Sequence, residues 1–161
     1  MKPNYLTILI TTLCIFFNAC HNSNTAPQLQ LADSLIDKRA DSALCILEKL
    51  SIEEISNKSA KAMYALLLTE ALDNNFKSHR NDSLILIAVD YYKDNSNNKL
   101  KTKAYYLGRV YQDNKEYIKA TEAYLTALKT ASPNQAPILQ IYNNLALCYE
   151  SQEFYLPAIK T

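Results

Sequence analysis

The chain has 161 residues, 48% of them hydrophobic and 20% charged, so it is long enough to bury a core and has the composition of neither a disordered chain nor a multi-span membrane protein. Its 17 basic and 16 acidic residues are interspersed without a basic stripe, so nucleic acid is not expected as a partner. A single glycine leaves little material for hairpin turns with positive φ, which favours helices over a sheet.

The first twenty residues predict an export signal. Lys2 precedes an apolar run that begins at Tyr5 and is shorter than the roughly 20 residues a membrane-spanning helix needs. Ala19 and Cys20 then precede a polar stretch. This arrangement resembles the lipobox of bacterial lipoproteins, and the resemblance implies cleavage behind Ala19 and lipidation of Cys20. The alternative is an ordinary signal peptide with an incidental cysteine.

Helical periodicity dominates the rest of the chain. Residues 28–50 carry two short amphipathic segments, and Asp41 is the expected N-cap of the second. Residues 59–72 form an apolar helix, and Asp82 is the expected cap of the next one. Further helices are predicted near 99–113, 116–130 and 136–151, with another beginning at 153. Because strand-like alternation never persists, the predicted fold class is all-α, built from helical hairpins.

Two stretches of the sequence repeat one another at a spacing of 38 positions. The matched pairs are Leu107 and Leu145, Gly108 and Ala146, Tyr111 and Tyr149, Tyr117 and Tyr155, and Ala120 and Ala158.

These positions resemble the tetratricopeptide repeat family, whose unit of about 34 residues is a helix–turn–helix. The first unit follows the family pattern at Leu107, Gly108, Tyr111, Tyr117, Ala120, Tyr124 and Ala127. It departs from the pattern at Ala104, where the family prefers tryptophan, and at Pro133, which falls one place late. The second unit matches it at Leu145, Ala146, Tyr149, Tyr155 and Ala158.

The resemblance implies a TPR-like α-solenoid with a right-handed superhelix, incomplete at its C-terminus. Counterparts of Tyr124 and Ala127 would fall beyond Thr161, so we expect the N-terminal part of a longer protein; the alternative is a short product with a frayed end. The predicted regions are a signal peptide (1–19), a lipidated cysteine and flexible tether (20–27), an atypical capping pair (28–57), a degenerate hairpin (58–96), one repeat (97–134) and a truncated repeat (135–161).

The only glycine, Gly108, lies inside a predicted helix, where it costs about 1 kcal/mol relative to alanine. We expect its missing side chain to let the paired helix approach closely, with Ala120 facing it.

No enzyme, cofactor or metal site is predicted. His21 and His79 lie in polar segments and are expected on the surface, where they lack partners for metal binding or proton transfer. The chain has no glycine-rich phosphate loop and no paired cysteine motif. Cys45 and Cys148 are expected to be buried free thiols, and a disulfide between them is the less favoured alternative.

Binding is the function that a solenoid offers. In the resembled family the first helix of each repeat lines the concave face, and the matching positions here are Tyr105, Arg109, Gln112, Asp113, Gln140, Asn143, Asn144 and Leu147. Tyr105 and Arg109 are four residues apart and could present a ring and a charge to a peptide. The alternative is a plain solvated helix face. The family's Lys/Asn clamp for a C-terminal carboxylate is incomplete here.

We therefore expect a non-catalytic scaffold that binds a protein or peptide partner and is lipid-anchored at the cell envelope, facing the periplasm of a Gram-negative bacterium. An alternative is the sensory input region of a longer membrane-linked transcriptional or signalling regulator. Glycan capture is a third possibility, but the chain has no tryptophan to serve as a sugar platform.

Overall fold

The computed structural model describes residues 25–79, 81–93, 105–131 and 137–159, with side chains except at 130, 137 and 153–159. Within these ranges the chain forms helices and no strands, which confirms the predicted all-α class. The helices are α1 Thr25–Leu35, α2 Ala40–Leu47, α3 Lys58–Asn74, α4 Ser83–Tyr92, α5 Tyr105–Asp113, α6 Tyr117–Thr130 and α7 Pro137–Ile159.

The helix starts agree with the turn chemistry of the sequence at two places and differ at a third. The side chain of Asn57 caps α3 by accepting from the backbone N–H of Ala60 at 3.1 Å. Asp82 is the N-cap residue of α4, as predicted, although Asn81 supplies the side-chain oxygen that accepts from a backbone N–H. The prediction for Asp41 is wrong: it lies in the first turn of α2, where the positive end of the helix dipole favours a carboxylate.

Helix α7 is continuous where the sequence predicted a turn between 151 and 153. The turn between α5 and α6 depends on Lys115 at φ 61° and on the N–H of Glu116 donating to the carbonyl of Tyr111 at 2.8 Å. The repeat places Gln152 where the first unit has Asn114, and glutamine is the better helix former. The amide of Gln152 also donates to Thr121 Oγ1 at 2.9 Å, which fastens α7 to α6 at this point.

The helices pack in chain order. Each described helix contacts the next along most of the chain: α1 with α2, α2 with α3, α3 with α4, α5 with α6, and α6 with α7. In addition α1 contacts α3, and α3 contacts α5. Helix α4 contacts α5 as well, so α3 and α4 together form the surface on which the α5–α6 hairpin lies.

Two hydrophobic clusters fill the interior, and both include α3. The N-terminal cluster is formed by buried residues of α1, α2, the following loop and one side of α3: Leu29, Ala32, Ile36, Ala43, Leu44, Leu47, Ile55, Tyr64, Leu67 and Ala71. The C-terminal cluster takes the other side of α3 and extends to α7: Ala62, Ala65, Leu66, Ile85, Ala88, Tyr92, Tyr105, Tyr106, Val110, Ala120, Tyr124, Ala127, Ile141, Leu145 and Cys148.

At Gly108 helix α5 lies directly against a side chain of α6. A Cβ atom built at Gly108 would lie 2.4 Å from Cε1 and 2.5 Å from Cδ1 of Tyr124, well inside any permitted contact. The atoms nearest to the glycine are therefore those of the Tyr124 ring, which the sequence did not indicate. Ala120 is buried in the same cluster, one turn before Tyr124. Glycine lowers the stability of the helix, but this loss is offset because the absent side chain leaves room for the fully buried ring of Tyr124.

We expect Gly108→Leu to destabilise the protein by about 1–3 kcal/mol, because the added side chain and the ring of Tyr124 cannot occupy the same volume. Leucine is a good helix former, so the loss cannot come from helix propensity. Chemical denaturation followed by circular dichroism measures the effect. Ala146→Leu is the matched control: it changes the equivalent position on α7, where the side chain is exposed, and should stay within about 0.5 kcal/mol of wild type. Equal stability of Gly108→Leu and wild type would contradict this account.

Candidate binding site

The predicted binding positions on α5 are engaged within the chain. Tyr105 is only 6% exposed. The centroid of its ring lies 4.3 Å from the ring centroid of Tyr106 and 6.5 Å from that of Tyr124. The expectation that Tyr105 presents its ring on an open face is therefore wrong, because α3 packs directly against this side of α5. Burial raises the pKa of Tyr105 to about 12, as expected for a phenol that has lost most of its contact with water.

The Arg109 guanidinium is held by a carboxylate on the neighbouring helix α3. Its Nε donates to Asp73 Oδ1 at 2.9 Å and its Nη2 lies 2.8 Å from the same oxygen. Asp113 Oδ1 is 3.9 Å from Nη2. Burial opposes the charge of Arg109, but the hydrogen bond and the charge of Asp73 outweigh it, so the pKa of Arg109 lies above its ordinary value.

Gln112 links this ion pair to α6. Its Oε1 accepts from the hydroxyl of Tyr124 at 2.7 Å and from Nη1 of Arg109 at 3.2 Å. The hydroxyl of Tyr124 therefore has a hydrogen-bond acceptor although the ring is fully buried. Burial raises the pKa of Tyr124. The same ring that meets Gly108 is thus also tied to the polar groups of α5.

His79 is buried, contrary to the expectation of a surface histidine in a polar loop. It is 4% exposed, and its Nδ1 lies 2.7 Å from Asp113 Oδ2, which also accepts from the backbone N–H of His79 at 3.3 Å. Its Nε2 lies 3.2 Å from the carbonyl oxygen of Thr69. The carboxylate and the carbonyl are both acceptors, so a ring nitrogen that carries a proton has an acceptor within hydrogen-bond distance on either side of the ring.

We call the connected group of Asp73, His79, Arg109, Gln112, Asp113 and Tyr124 the polar latch. It joins α3, the loop after α3, α5 and α6 by the contacts described above. The sequence signals only one part of it, the Arg109–Asp113 pair at helical spacing. The contacts of Asp73 and His79 with α5 span 36 and 34 positions and arise from helix packing, so no local pattern indicates them.

A pocket of about 270 Å³ opens beside the latch. It is lined by Thr69, Leu72, Ser78, His79, Asn81, Leu84 and Val110. Pockets that enclose a small-molecule ligand usually measure about 300–1,000 Å³, so this one is suited at most to a single side chain or a very small molecule.

The predicted binding positions on α7 remain accessible. Gln140 and Asn143 are exposed, Asn144 is half-buried, and Leu147 is 51% exposed. The repeat aligns Asn143 with Tyr105 and Leu147 with Arg109, yet only the α5 pair is covered. The difference follows from packing, because the α5 positions meet α3.

The predicted packing residues divide in a similar way. Ala120, Tyr124, Ala127, Leu145 and Gly108 are buried, and Leu107, Tyr111 and Tyr117 are half-buried against the same cluster. Ala146 and Tyr149 are exposed instead of packed, because the part of the chain that the structure describes places no helix over that side of α7. Ala104, Pro133 and the side chains of Tyr155 and Ala158 lie outside the described residues.

The two cysteines of the helices differ in environment. Cys148 is a buried free thiol, as expected, and burial raises its pKa. Cys45 is also a free thiol, but it is exposed, so the expectation of burial is wrong for it. The buried face of α2 is formed by Ala43, Leu44 and Leu47, and Cys45 points away from that face. The two thiols form no disulfide with each other.

Within the described ranges, no group of three or more His, Cys, Asp or Glu side chains is arranged to hold a metal ion. In the same ranges, no helix combines the length and the apolar character that crossing a membrane requires. Comparisons of the chain with protein-family models, with curated proteins and with solved structures give no match.

We expect Asp73→Ala to destabilise the fold by about 2 kcal/mol, because it leaves the part-buried guanidinium of Arg109 without its principal partner. The matched control is Glu48→Ala, which removes an ion pair of similar length to Lys77 whose side chains are both 53% exposed. Such a surface pair contributes little, so the control should change stability by less than about 0.5 kcal/mol. Urea denaturation of both variants is the measurement, and equal effects would show that the latch is no stronger than a surface contact.

Proposed function

We propose that this chain is a non-catalytic helical-repeat scaffold of the tetratricopeptide type that binds a protein or peptide partner. The order of helix contacts supports the repeat architecture. Alternate helices α1, α3 and α5 contact one another in sequence, while α2, α4 and α6 each pair with the helix before them. From α1 to α6 this is the contact order of stacked hairpins, whereas α7 packs chiefly against α6; for the whole chain we propose a right-handed solenoid.

The open side of α7 is the observation that carries the binding proposal. Gln140, Asn143 and Leu147 are exposed on it. Two amide side chains next to an accessible leucine suit an extended peptide, because each amide can both donate to and accept from a peptide backbone while the leucine contacts an apolar side chain.

The polar latch supports the same proposal because it fixes α6, the helix against which α7 packs, to α5 and α3. Arg109, Gln112 and Asp113 hold α3, α5 and α6 together, so they serve the scaffold and leave recognition to α7. A binding face on preorganised helices loses less conformational entropy when it takes up a partner.

For the cellular setting we propose export and lipid anchoring at the cell envelope. The support is in the sequence: a short apolar run after Lys2, followed by Ala19 and Cys20 at the border of a polar tether. Several acyl chains on one cysteine would provide the firm attachment that a single chain cannot. The scaffold would then bind its partner close to the membrane surface.

The anchor is tested by metabolic labelling with a fatty-acid analogue. We expect the wild-type protein to be labelled and to sediment with membranes, because Cys20 receives the acyl chains. Cys20→Ser should lose the label. Cys14→Ser, inside the apolar run, is the control and should leave the label on the protein. A Cys20→Ser protein that is still labelled would refute the anchor.

The binding face is tested by selecting peptides from a random display library against the full chain. We expect the selected peptides to lose roughly tenfold in affinity or more when Leu147→Asp places a charge on the face, because a central apolar contact is lost. Glu122→Gln, a change of an exposed residue on α6, is the control and should leave the affinity unchanged. Failure to select any peptide, or peptides indifferent to Leu147→Asp, would overturn the assignment of this face.

A further inference from the structure

We propose that a second face of α7, distinct from the one that carries Leu147, binds an amphipathic helix which places a tyrosine ring on Ala146. The face consists of Leu139, Tyr142, Ala146 and Tyr149, which we call the tyrosine stripe. Leu139 is 69%, Tyr142 57% and Tyr149 49% exposed. Spacings of three and four residues bring these four side chains onto one side of the helix.

The stripe continues an interface that already exists in the fold. Leu145 and Cys148, each one residue before a member of the stripe, are buried between α7 and its neighbours. In a view down the helix axis, Tyr149 and Tyr142 lie next to the buried Leu145. Ala146 and Leu139 lie beyond them, further around the helix in the same direction. A partner helix on the stripe would therefore enlarge the packed surface of α7 without a gap.

The chain itself contains the same contact in occupied form. The repeat aligns Ala146 with Gly108 and Tyr149 with Tyr111. On α5, those positions are covered by α6, whose Tyr124 ring lies against Gly108. Ala120 and Ala127, four residues before and three after that tyrosine, are fully buried, so small side chains flank the ring.

Charge adds one more requirement for the partner. Lys119 of α6 lies over the ring of Tyr111, with its Nζ 5.3 Å from the ring centroid. A lysine at the same place in a partner helix would lie over Tyr149 and beside the exposed carboxylate of Glu150. Glu150 is the only charged residue between 138 and 152, so the rest of the contact is uncharged. The expected partner helix thus carries lysine and alanine in succession, a tyrosine four residues after that alanine, and a second alanine three residues after the tyrosine.

The probe is a labelled peptide with the sequence of residues 116–131, which has this pattern. We expect saturable binding to the full chain by fluorescence anisotropy. Ala146→Leu in the protein should weaken binding roughly tenfold or more by filling the place of the ring, and Tyr124→Ala in the peptide should do the same. Ala146→Gly should preserve or strengthen binding.

Two controls separate this site from others. Leu147→Asp alters the neighbouring peptide face, about 100° around the helix from Ala146, and should leave binding of this peptide unchanged, so failure of the stripe and failure of the proposed peptide face give different results. The peptide has the sequence of α6, so it could instead displace α6 from its place against Gly108 on α5. Ala146→Leu leaves that place on α5 unchanged. Unchanged binding by this variant would therefore mean that the peptide replaces α6, and that result would overturn the proposal. The absence of saturable binding would overturn it as well. So would self-association of the chain that Ala146→Leu abolishes, because the occupant would then be a second copy.

Discussion

The ring of Tyr124 occupies the space that a side chain on Gly108 would need, and much of the molecule depends on this contact. It sets how closely α5 and α6 approach, and it fixes the tyrosine hydroxyl at 2.7 Å from Gln112. Gln112 in turn orients the guanidinium of Arg109, which reaches Asp73 on α3. The contact between Gly108 and Tyr124 is therefore linked, through the hydrogen bonds of Gln112 and Arg109, to helix α3.

Helical periodicity and turn residues were sufficient for the fold class and for most helix ends. Asp82, for example, marks the start of α4 because an acidic residue before an apolar run is a strong local signal. The length of α7 could not be predicted, since the stretch from Glu150 to Phe154 has neither a helix breaker nor a strong reason to continue, and the contact of Gln152 with Thr121 is tertiary. The site was the hardest part to predict. A helical wheel ranks Tyr105 as outward-facing, and only the packing of α3 against α5 reveals that it is inside.

Equivalent positions in two similar units have different environments in this chain. Tyr105 and Arg109 are covered by a neighbouring helix, whereas their counterparts Asn143 and Leu147 meet solvent. The residue types agree with this division in part: the arginine lies where Asp73 of α3 accepts its hydrogen bonds, and the amide of Asn143 lies where it can form hydrogen bonds with water. The environment of a residue in this chain is consequently set by the helices that pack beside its unit as much as by the sequence motif to which it belongs.

Helix α3 contributes one side to each of the two hydrophobic clusters, through Tyr64 and Leu67 to the first and Ala62 and Leu66 to the second. Stacked repeats are often treated as units that open one at a time, with each boundary acting as a possible break. Here a single helix has one side in each cluster, so the loss of either cluster exposes one side of α3 and weakens the packing that holds the other. We therefore expect the backbone amides of α3 to exchange their hydrogens more slowly than those of helices that contribute to one cluster only.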